Sequence, residues 1–301
     1  MRSEAAWSSL SRGKTASPSQ DVDRNGLQPK TEDTSAVALR DIRKAFISRN
    51  GQIVEAVANV SLDVRQGEII AIVGPSGCGK STLLRILGDL DDEFSGEIVW
   101  NQDGANRSNS RLRSATVFQS DSTLPWMTVY QNLQLGLSSL KLDGSTLQGR
   151  IDRCLSLVGL SEFRSAYPHE LSGGMRQRVA IARALAAEPE VLLMDEPLAA
   201  LDAQTRLVMQ QELARIWSEI SSTVFYVTHD IGEALSLADR IVVMTARPGR
   251  IKQIITVPFA NTSDVMTLRA LPEFGELEVH LWRLLADEVG GTLRKGRLSN
   301  D

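Results

Sequence analysis

The stretch EIIAIVGPSGCGKSTLLRILGDL, residues 68–90, decides the fold of this chain. It begins with the apolar run Ile69–Val73, and an unbroken β-branched run is typical of a strand covered on both faces. Glycines at 74, 77 and 79 then predict a tight turn, and the segment TLLRILGDL has the apolar spacing of a helix. A buried strand, a glycine-rich turn and a helix in this order predict a parallel α/β sheet.

The glycine-rich turn GPSGCGKST, residues 74–82, fits the phosphate-binding pattern G-x-x-x-x-G-K-[ST]. Such a turn points successive N–H groups at phosphate oxygens, and the amino end of the next helix adds positive potential. We therefore expect the phosphates of ATP to be bound by Gly74, Pro75, Ser76, Gly77, Cys78, Gly79, Lys80, Ser81 and Thr82. Lys80 should bridge the β- and γ-phosphates, and the Ser81 hydroxyl should coordinate Mg²⁺. Because Lys80 and a helix amino end lower thiol pKa values, we expect a reactive Cys78.

The run VLLMDEP, residues 191–197, predicts a buried strand that ends in two acids. Open α/β sheets bind ligands at the carboxyl ends of their strands, so these carboxylates are candidates for catalysis. Asp195 is expected to hold Mg²⁺ through water, and Glu196 to act as the general base on the attacking water. The alternative is that the pair only caps the helix that follows.

The run LSGGMRQRVAIARAL, residues 171–185, places a second Ser/Gly turn at the start of a basic helix. Here the chain resembles the ABC ATPase family, whose signature is an LSGGQ-like loop. Met175 stands where the family usually has Gln, while Ser172, Gly173 and Gly174 match. The resemblance implies a head-to-tail homodimer in which each ATP lies between the phosphate loop of one copy and the signature loop of the other.

The same resemblance implies roles for residues elsewhere in the chain. Gln119, after the strand SATVFQ, matches a glutamine that contacts Mg²⁺, and His229 matches a histidine that contacts the γ-phosphate. Asp202, in the run AALD, is expected to reach the partner subunit, and Ala199 stands where the family usually has Ser. Phe46 matches an aromatic residue that stacks on adenine; the alternative is that Phe46 belongs to the core.

The implied fold is an α/β P-loop ABC ATPase with a RecA-like parallel-sheet core, an antiparallel β subdomain and an α-helical signature subdomain. We expect residues 1–36 to form a disordered tail, because they are polar and lack apolar periodicity. The ATPase domain should span 37–260, with its helical subdomain at about 120–180, and a short helical extension should span 261–301.

Local patterns place further elements within these bounds. Alternation in VALRDIRKAF and VANVSLDVRQG predicts two half-buried antiparallel strands. In the segment 206–220, Leu213, Ile216, Trp217 and Ile220 share one face of a predicted helix. The segment GRIKQIITVPF, residues 249–259, predicts a short strand pair.

Two motifs indicate the kind of transporter. The run LPWMTVYQN, residues 124–132, and ARPGRI, residues 246–251, resemble the nitrate/sulfonate/taurine branch of bacterial importers. That branch implies a separate permease dimer, an extracytoplasmic substrate-binding protein and a place on the cytoplasmic face of the inner membrane, with aliphatic sulfonate as the preferred substrate. Leu124, Pro125 and Trp126 are expected to line the groove that receives the permease, the alternative being that Trp126 packs inside.

Composition narrows the partners and the classes of protein that this sequence predicts. Lys and Arg number 33 against 37 Asp and Glu, so nothing predicts a nucleic-acid partner. No apolar run approaches the ~18–20 residues of a membrane helix, as expected when the permease is a separate chain. An exporter subunit and a soluble non-transport ABC ATPase remain as alternatives; the first is often fused to its membrane domain, and the second usually carries two ATPase halves or a long coiled coil.

Overall fold

The computed structural model describes residues 35–48, 50–100, 114–119, 123–259 and 264–298. The strands are β1 (Ser35–Ile47), β2 (Ile53–Arg65), β3 (Ile69–Val73), β4 (Ser95–Trp100), β5 (Ser114–Val117), β6 (Val191–Asp195), β7 (Thr223–Val227), β8 (Arg240–Met244) and β9 (Ile251–Thr256). The helices are α1 (Lys80–Leu87), α2 (Val129–Gly136), α3 (Gly144–Leu157), α4 (Gly173–Ala186), α5 (Ala203–Glu219), α6 (Ile231–Leu237), α7 (Val265–Arg269) and α8 (Pro272–Leu298). The predicted tail lies outside the described residues except for 35 and 36, which begin β1.

Strands β2, β1 and β4 form an antiparallel sheet in that order. Their side chains alternate as the sequence predicted: Val60, Leu62 and Val64 are buried, whereas Ser61 and Asp63 between them are exposed. The buried face packs on Ile70 and Ile72 of β3 and on α1, in a single apolar cluster. One face in the core and one in water is the arrangement that alternation favours.

A second sheet has the order β5-β6-β7-β3-β8-β9. The pairs from β5 to β8 are parallel, and β9 is antiparallel to β8. Every residue of β3 and β7 is buried, which explains their unbroken apolar runs. The expected strand pair at 249–259 is wrong: this segment contributes the one strand β9, whose partner is β8. The predicted α/β fold with a parallel core and an antiparallel sheet is confirmed.

The segment between β5 and β6 is largely helical. Leu133 of α2, Ile151 of α3 and Ile181 of α4 are fully buried in the same apolar cluster as the second sheet. Further along, α5 ends at Glu219, so Ile220 lies beyond the helix in an extended conformation. Ile220 still packs against that cluster. Its predicted place on the apolar face of the helix is wrong.

The strand order determines where the candidate residues meet. Strands β5, β6, β7 and β3 are consecutive and parallel, so their carboxyl ends lie along the same edge of the sheet. Gln119, Asp195, His229 and the glycine-rich turn each lie at or just after one of these ends. This edge is where open α/β sheets bind ligands.

Candidate active site

The glycine-rich turn, residues 74–79, connects β3 to α1. Gly79 caps α1 with φ at 103°, a left-handed conformation that favours glycine. A Cβ there would also lie 2.8 Å from the Ala56 carbonyl oxygen and from the Val57 side chain. The turn therefore approaches β2 more closely than a side chain at Gly79 would allow.

Lys80 is nearly buried beneath this turn. Its Nζ donates to the carbonyl oxygens of Gly74, at 2.8 Å, and Pro75, at 3.0 Å. These two carbonyls hold the ammonium group against the turn that the sequence predicted for phosphate binding. A fixed cation beside a ring of backbone N–H groups at a helix amino end is suited to bind an anion.

Asp195 ends β6 beside the first turn of α1. Its Oδ1 accepts a hydrogen bond from the Ser81 hydroxyl at 3.0 Å. Burial raises the pKa of the Asp195 carboxyl, opposed by the Ser81 hydrogen bond and the charge of Lys80. A nearby cation would offset this cost of burying the ionised form.

Glu196 lies at the centre of the site. Its Oε2 accepts from Gln119 Nε2 at 3.2 Å and lies 3.2 Å from His229 Nδ1. Glu196 has φ at 45°, a left-handed conformation that side-chain-bearing residues rarely adopt, and its N–H donates to the Val227 carbonyl oxygen at 2.9 Å. The structure thus brings together three predicted catalytic residues that are far apart in sequence.

The oxygen donors at this edge fit a magnesium ion. A hydroxyl on Ser81, a carboxylate on Asp195 and the amide of Gln119 supply the hard donors that Mg²⁺ prefers. Within the described residues, no group of three or more His, Cys, Asp or Glu side chains is arranged so that it could by itself hold a metal ion. That agrees with Mg²⁺ sites in phosphate-transferring enzymes, which use one or two carboxylates together with substrate phosphates.

The structure argues against the expectation of a reactive Cys78. The Cys78 side chain is 1% exposed, and burial raises its pKa. Lys80 opposes the shift, with its Nζ 3.9 Å from the sulfur, but desolvation of the thiolate is the larger effect. The sequence predicted the neighbouring cation correctly but contained no measure of the burial.

The signature residues Ser172, Gly173 and Gly174 begin α4. Ser172 caps α4 by accepting from the Met175 N–H at 3.3 Å, and both Ser172 and Gly173 are exposed. Gly174 is buried, and a Cβ on it would lie 3.0 Å from Thr205. Within the part of the chain that the structure describes, no hydrogen bond joins these residues to residues 74–82.

Three other predicted positions lie on the surface. The Asp202 carboxylate caps α5 by accepting from the Gln204 and Thr205 N–H groups, which lowers its pKa. Phe46 is 44% exposed on β1, so it is not a core residue, and Lys44 Nζ lies 5.0 Å from its ring centre. Trp126 is 69% exposed, which excludes the alternative that it packs inside the protomer.

Glu233 is a buried acid near His229 that sequence reasoning missed. It is 3% exposed in α6, and its Oε2 accepts from the Thr228 hydroxyl at 2.8 Å and the Tyr226 hydroxyl at 3.0 Å. Its other carboxylate oxygen lies 3.8 Å from Arg206, which donates to the Leu201 carbonyl oxygen at 2.8 Å. Glu233 thus connects the residue before His229 with the AALD run, and an acid within an apolar helix was the available signal.

Asn132 is a second missed residue, although it belongs to the run quoted for the importer branch. It is fully buried in α2, and its Oδ1 accepts from the Leu124 N–H at 2.8 Å. Its Nδ2 donates to the carbonyl oxygens of Leu124, Met127 and Thr128 at 3.0–3.2 Å. One side chain therefore holds the turn that exposes Trp126.

Comparisons with known proteins agree with this geometry. The model of the ABC transporter family matches residues 57–199. An ABC transporter ATP-binding protein of Methanocaldococcus jannaschii is 45% identical over 88% of this chain and 97% of that protein. A taurine import ATP-binding protein of Roseobacter denitrificans is 39% identical, covering 85% of this chain and 98% of that one. A nitrate import ATP-binding protein of a Synechocystis species is 41% identical, covering 85% and 94%.

Solved structures of ATP-binding cassettes also match this chain. The dimeric structure of an ATP-binding cassette in a post-hydrolysis state, bound to ADP and phosphate, matches with a TM-score of 0.61 and 34% identity. That match covers 73% of this chain and 98% of the solved chain. Within the described ranges, none of the helices is both long and apolar enough to cross a membrane. The chain therefore belongs to the ABC transporter family, as an ATP-binding protein whose hydrolysis of ATP is coupled to transport.

Proposed function

We propose that this chain powers the import of a small anion, an aliphatic sulfonate such as taurine or else nitrate, from the cytoplasmic face of the membrane. Residues 74–82 bind the phosphates of ATP, with Lys80 on the β- and γ-phosphates and Phe46 stacked on adenine. Ser81, Gln119 and, through water, Asp195 would hold Mg²⁺. When bound, it neutralises charge on the phosphates.

The hydrolytic step is assigned to Glu196. Its carboxylate accepts a proton from water as the water oxygen bonds to the terminal phosphorus and the bond to the ADP oxygen breaks. Gln119 and His229, each 3.2 Å from the same Glu196 oxygen, orient the carboxylate for that transfer. This convergence of three residues from three strand ends is the observation that carries the proposal.

The working form is proposed to be a head-to-tail homodimer. Ser172 and Gly173 are exposed at the amino end of α4, where an anion from a second molecule can be bound. Asp202 is exposed as well and extends the same contact to the partner. The dimeric form of the solved cassette described above supports this arrangement.

Import through a separate permease is supported by the 124–132 run and by the names of the taurine and nitrate relatives. Pro125 and Trp126 are exposed, and a large aromatic side chain held rigidly at a surface is typical of a protein-binding site. We assign this turn to the permease dimer, which receives substrate from an extracytoplasmic binding protein.

Growth of a deletion strain on single nutrient sources tests this function. We expect loss of growth when sulfonates are the only sulfur source, with normal growth on sulfate. The wild-type gene should restore growth, whereas Glu196→Gln should not, although the variant protein should still bind ATP. Nitrate as the only nitrogen source is offered in parallel, with ammonium as its control.

The outcomes test the substrate, the ATPase activity and the general base separately. Loss of growth on nitrate alone would replace the sulfonate assignment with nitrate. Normal growth on every source would reject both substrates and leave the ATPase in place. Full restoration by Glu196→Gln would reject Glu196 as the general base.

A further inference from the structure

Residues 245–250, which we call the β8–β9 loop, follow β8 and lie against the phosphate loop. The sequence singled out ARPGRI within this region only as a mark of the importer branch. The loop is closed by its own hydrogen bonds: Thr245 N–H donates to the Arg250 carbonyl oxygen at 2.9 Å, and Arg250 N–H donates to the Thr245 hydroxyl at 3.0 Å. Its shape is therefore largely set within six residues.

The backbone of the loop packs directly on the phosphate loop. Gly249 exchanges two hydrogen bonds with β2, donating to the Ala56 carbonyl oxygen at 2.9 Å and accepting from the Ala58 N–H at 3.0 Å. A Cβ added to Gly249 would lie 2.0 Å from the Cys78 carbonyl oxygen, so no side chain fits there. The phosphate loop is thus held between β2 and the β8–β9 loop.

Arg247 reaches from this loop to the tip of the phosphate loop. Its Nε and Nη2 donate to the Gly77 carbonyl oxygen at 3.4 and 3.3 Å. In a trans peptide the N–H points away from the carbonyl oxygen, so the Cys78 N–H lies on the opposite side of this peptide. That N–H donates to the Pro75 carbonyl oxygen at 3.3 Å, and the same oxygen also accepts from Lys80 Nζ at 3.0 Å.

Arg247 therefore holds the Gly77–Cys78 peptide with its carbonyl outward and its N–H on the side of the Lys80 ammonium. Gly77 has φ at 73° and is exposed, and a glycine restricts the rotation of this peptide less than a residue with a side chain would. If the peptide rotated, it would present a carbonyl oxygen where an anion requires an N–H. A cation on the outer oxygen opposes that rotation.

The C-terminal helix holds the β8–β9 loop from its other side. Glu288 of α8 accepts from the Ala246 N–H at 3.0 Å and forms an ion pair with Lys252 at 2.8 Å. Lys252 also donates to the Leu284 carbonyl oxygen at 2.8 Å. The base from which Arg247 projects is thus held by α8 as well as by β2.

We propose that Arg247 is a positioning residue for nucleotide binding, which acts by orienting the Gly77–Cys78 peptide toward the phosphates. The inference rests on the proposed role of residues 74–82 in binding ATP. Arg247 does not touch the nucleotide in this assignment; it preorganises the loop that does. Its loss should therefore weaken binding more than it slows the chemical step.

Equilibrium binding of MgATP and steady-state hydrolysis test this in the full chain. For Arg247→Ala we expect the Kd and the KM for ATP to rise roughly three- to tenfold, since long hydrogen bonds at an exposed site are individually modest. The kcat should stay within about twofold, because the catalytic residues are untouched. Arg247→Lys should recover part of the affinity, since an ammonium group can still reach the carbonyl oxygen.

Arg250→Ala is the matched control, because Arg250 is an exposed arginine of the same loop whose side chain is not bound to Gly77. It should leave Kd and KM unchanged, and the Tm of all three variants without nucleotide should match that of the wild type. Equal affinity in Arg247→Ala and wild type would overturn the inference, as would an equal loss in Arg250→Ala. Lys80→Ala tests the phosphate-loop assignment separately from the role of Arg247. If Lys80→Ala also leaves ATP affinity unchanged, the phosphate-loop assignment itself is wrong.

Discussion

For Cys78, the thiol reactivity expected from the neighbouring residues in sequence differs from that indicated by its burial in the structure. A helix amino end and Lys80 both favour a thiolate at this position. The structure adds a larger opposing effect, because the thiol is buried between the phosphate loop and the end of β8. Reactivity at Cys78 is therefore governed by access and desolvation more than by the neighbouring charge.

We predict that Cys78 is alkylated slowly in the native protein at neutral pH. Since the thiolate is the reacting form, raising the thiol pKa lowers the reacting fraction at every pH below that pKa, and the rate should rise as the pH increases. Cys154 is an internal comparison, because burial raises its pKa to about 11. Mass spectrometry after timed iodoacetamide treatment measures both sites, with denatured protein as the control. Rapid native labelling of Cys78 at pH 7 would contradict the prediction.

At the scale of elements, α2 and the turn before it form one unit. Thr128 caps the helix with a reciprocal capping box that includes Gln131. Asn132, one turn into α2, uses both ends of its amide to hold the turn in place. Pro125 and Trp126 are exposed because the buried amide holds the chain in a shape that presents them.

We predict that Asn132→Asp destabilises the protein by about 2–4 kcal/mol, as expected when a buried hydrogen-bonded group is replaced by an unpaired charge. The variant keeps the shape of the side chain but puts a carboxylate oxygen against carbonyl oxygens that now accept from Nδ2. Chemical denaturation measures the free energy of unfolding. Gln134→Ala, at an exposed position of the same helix, is the control and should change stability by about 0.5 kcal/mol or less. Equal stability of Asn132→Asp and wild type would show that the amide does not hold the turn.

At the scale of the whole molecule, one protomer contains both a phosphate loop and an exposed signature loop without bringing them together. If each ATP lies between two copies, a defect in one motif should be complemented by a partner that carries the other defect. Lys80→Ala removes the cation of the phosphate loop. Gly173→Asp adds a negative charge at the signature, where a Cβ would be 3.7 Å from its nearest neighbour and so fits within the protomer.

We predict that each variant alone is inactive and that an equal mixture regains ATP hydrolysis. Random pairing makes about half of the dimers mixed, and each mixed dimer has one intact site of two, so activity should reach up to about a quarter of the wild-type value. Phosphate release from the mixture, against each variant alone at the same total concentration, is the measurement. Absence of recovery, when both proteins are folded, would contradict a site shared between two copies.

The sequence by itself determined the central strands of the sheet and singled out the candidate residues of the site. Unbroken apolar runs indicated β3, β6 and β7, because a strand that is covered on both faces has apolar side chains on both of them. Glycine spacing and acids at strand ends then identified residues 74–82, Asp195 and Glu196, since those properties are local. The surface roles of Phe46, Trp126 and the signature loop remain predictions, and the mixture of Lys80→Ala and Gly173→Asp tests the role of the signature loop.

Only the tertiary structure decided which residues meet and which are buried. The order β5-β6-β7-β3 brings Gln119 and His229 to the same Glu196 oxygen, and no local pattern encodes the order of strands. Glu233, Asn132 and Arg247 were missed because their contacts are with partners distant in sequence or with backbone atoms, which the sequence does not identify. Burial is likewise a property of the packed chain, and for that reason the sequence could not indicate the burial that opposes reactivity at Cys78.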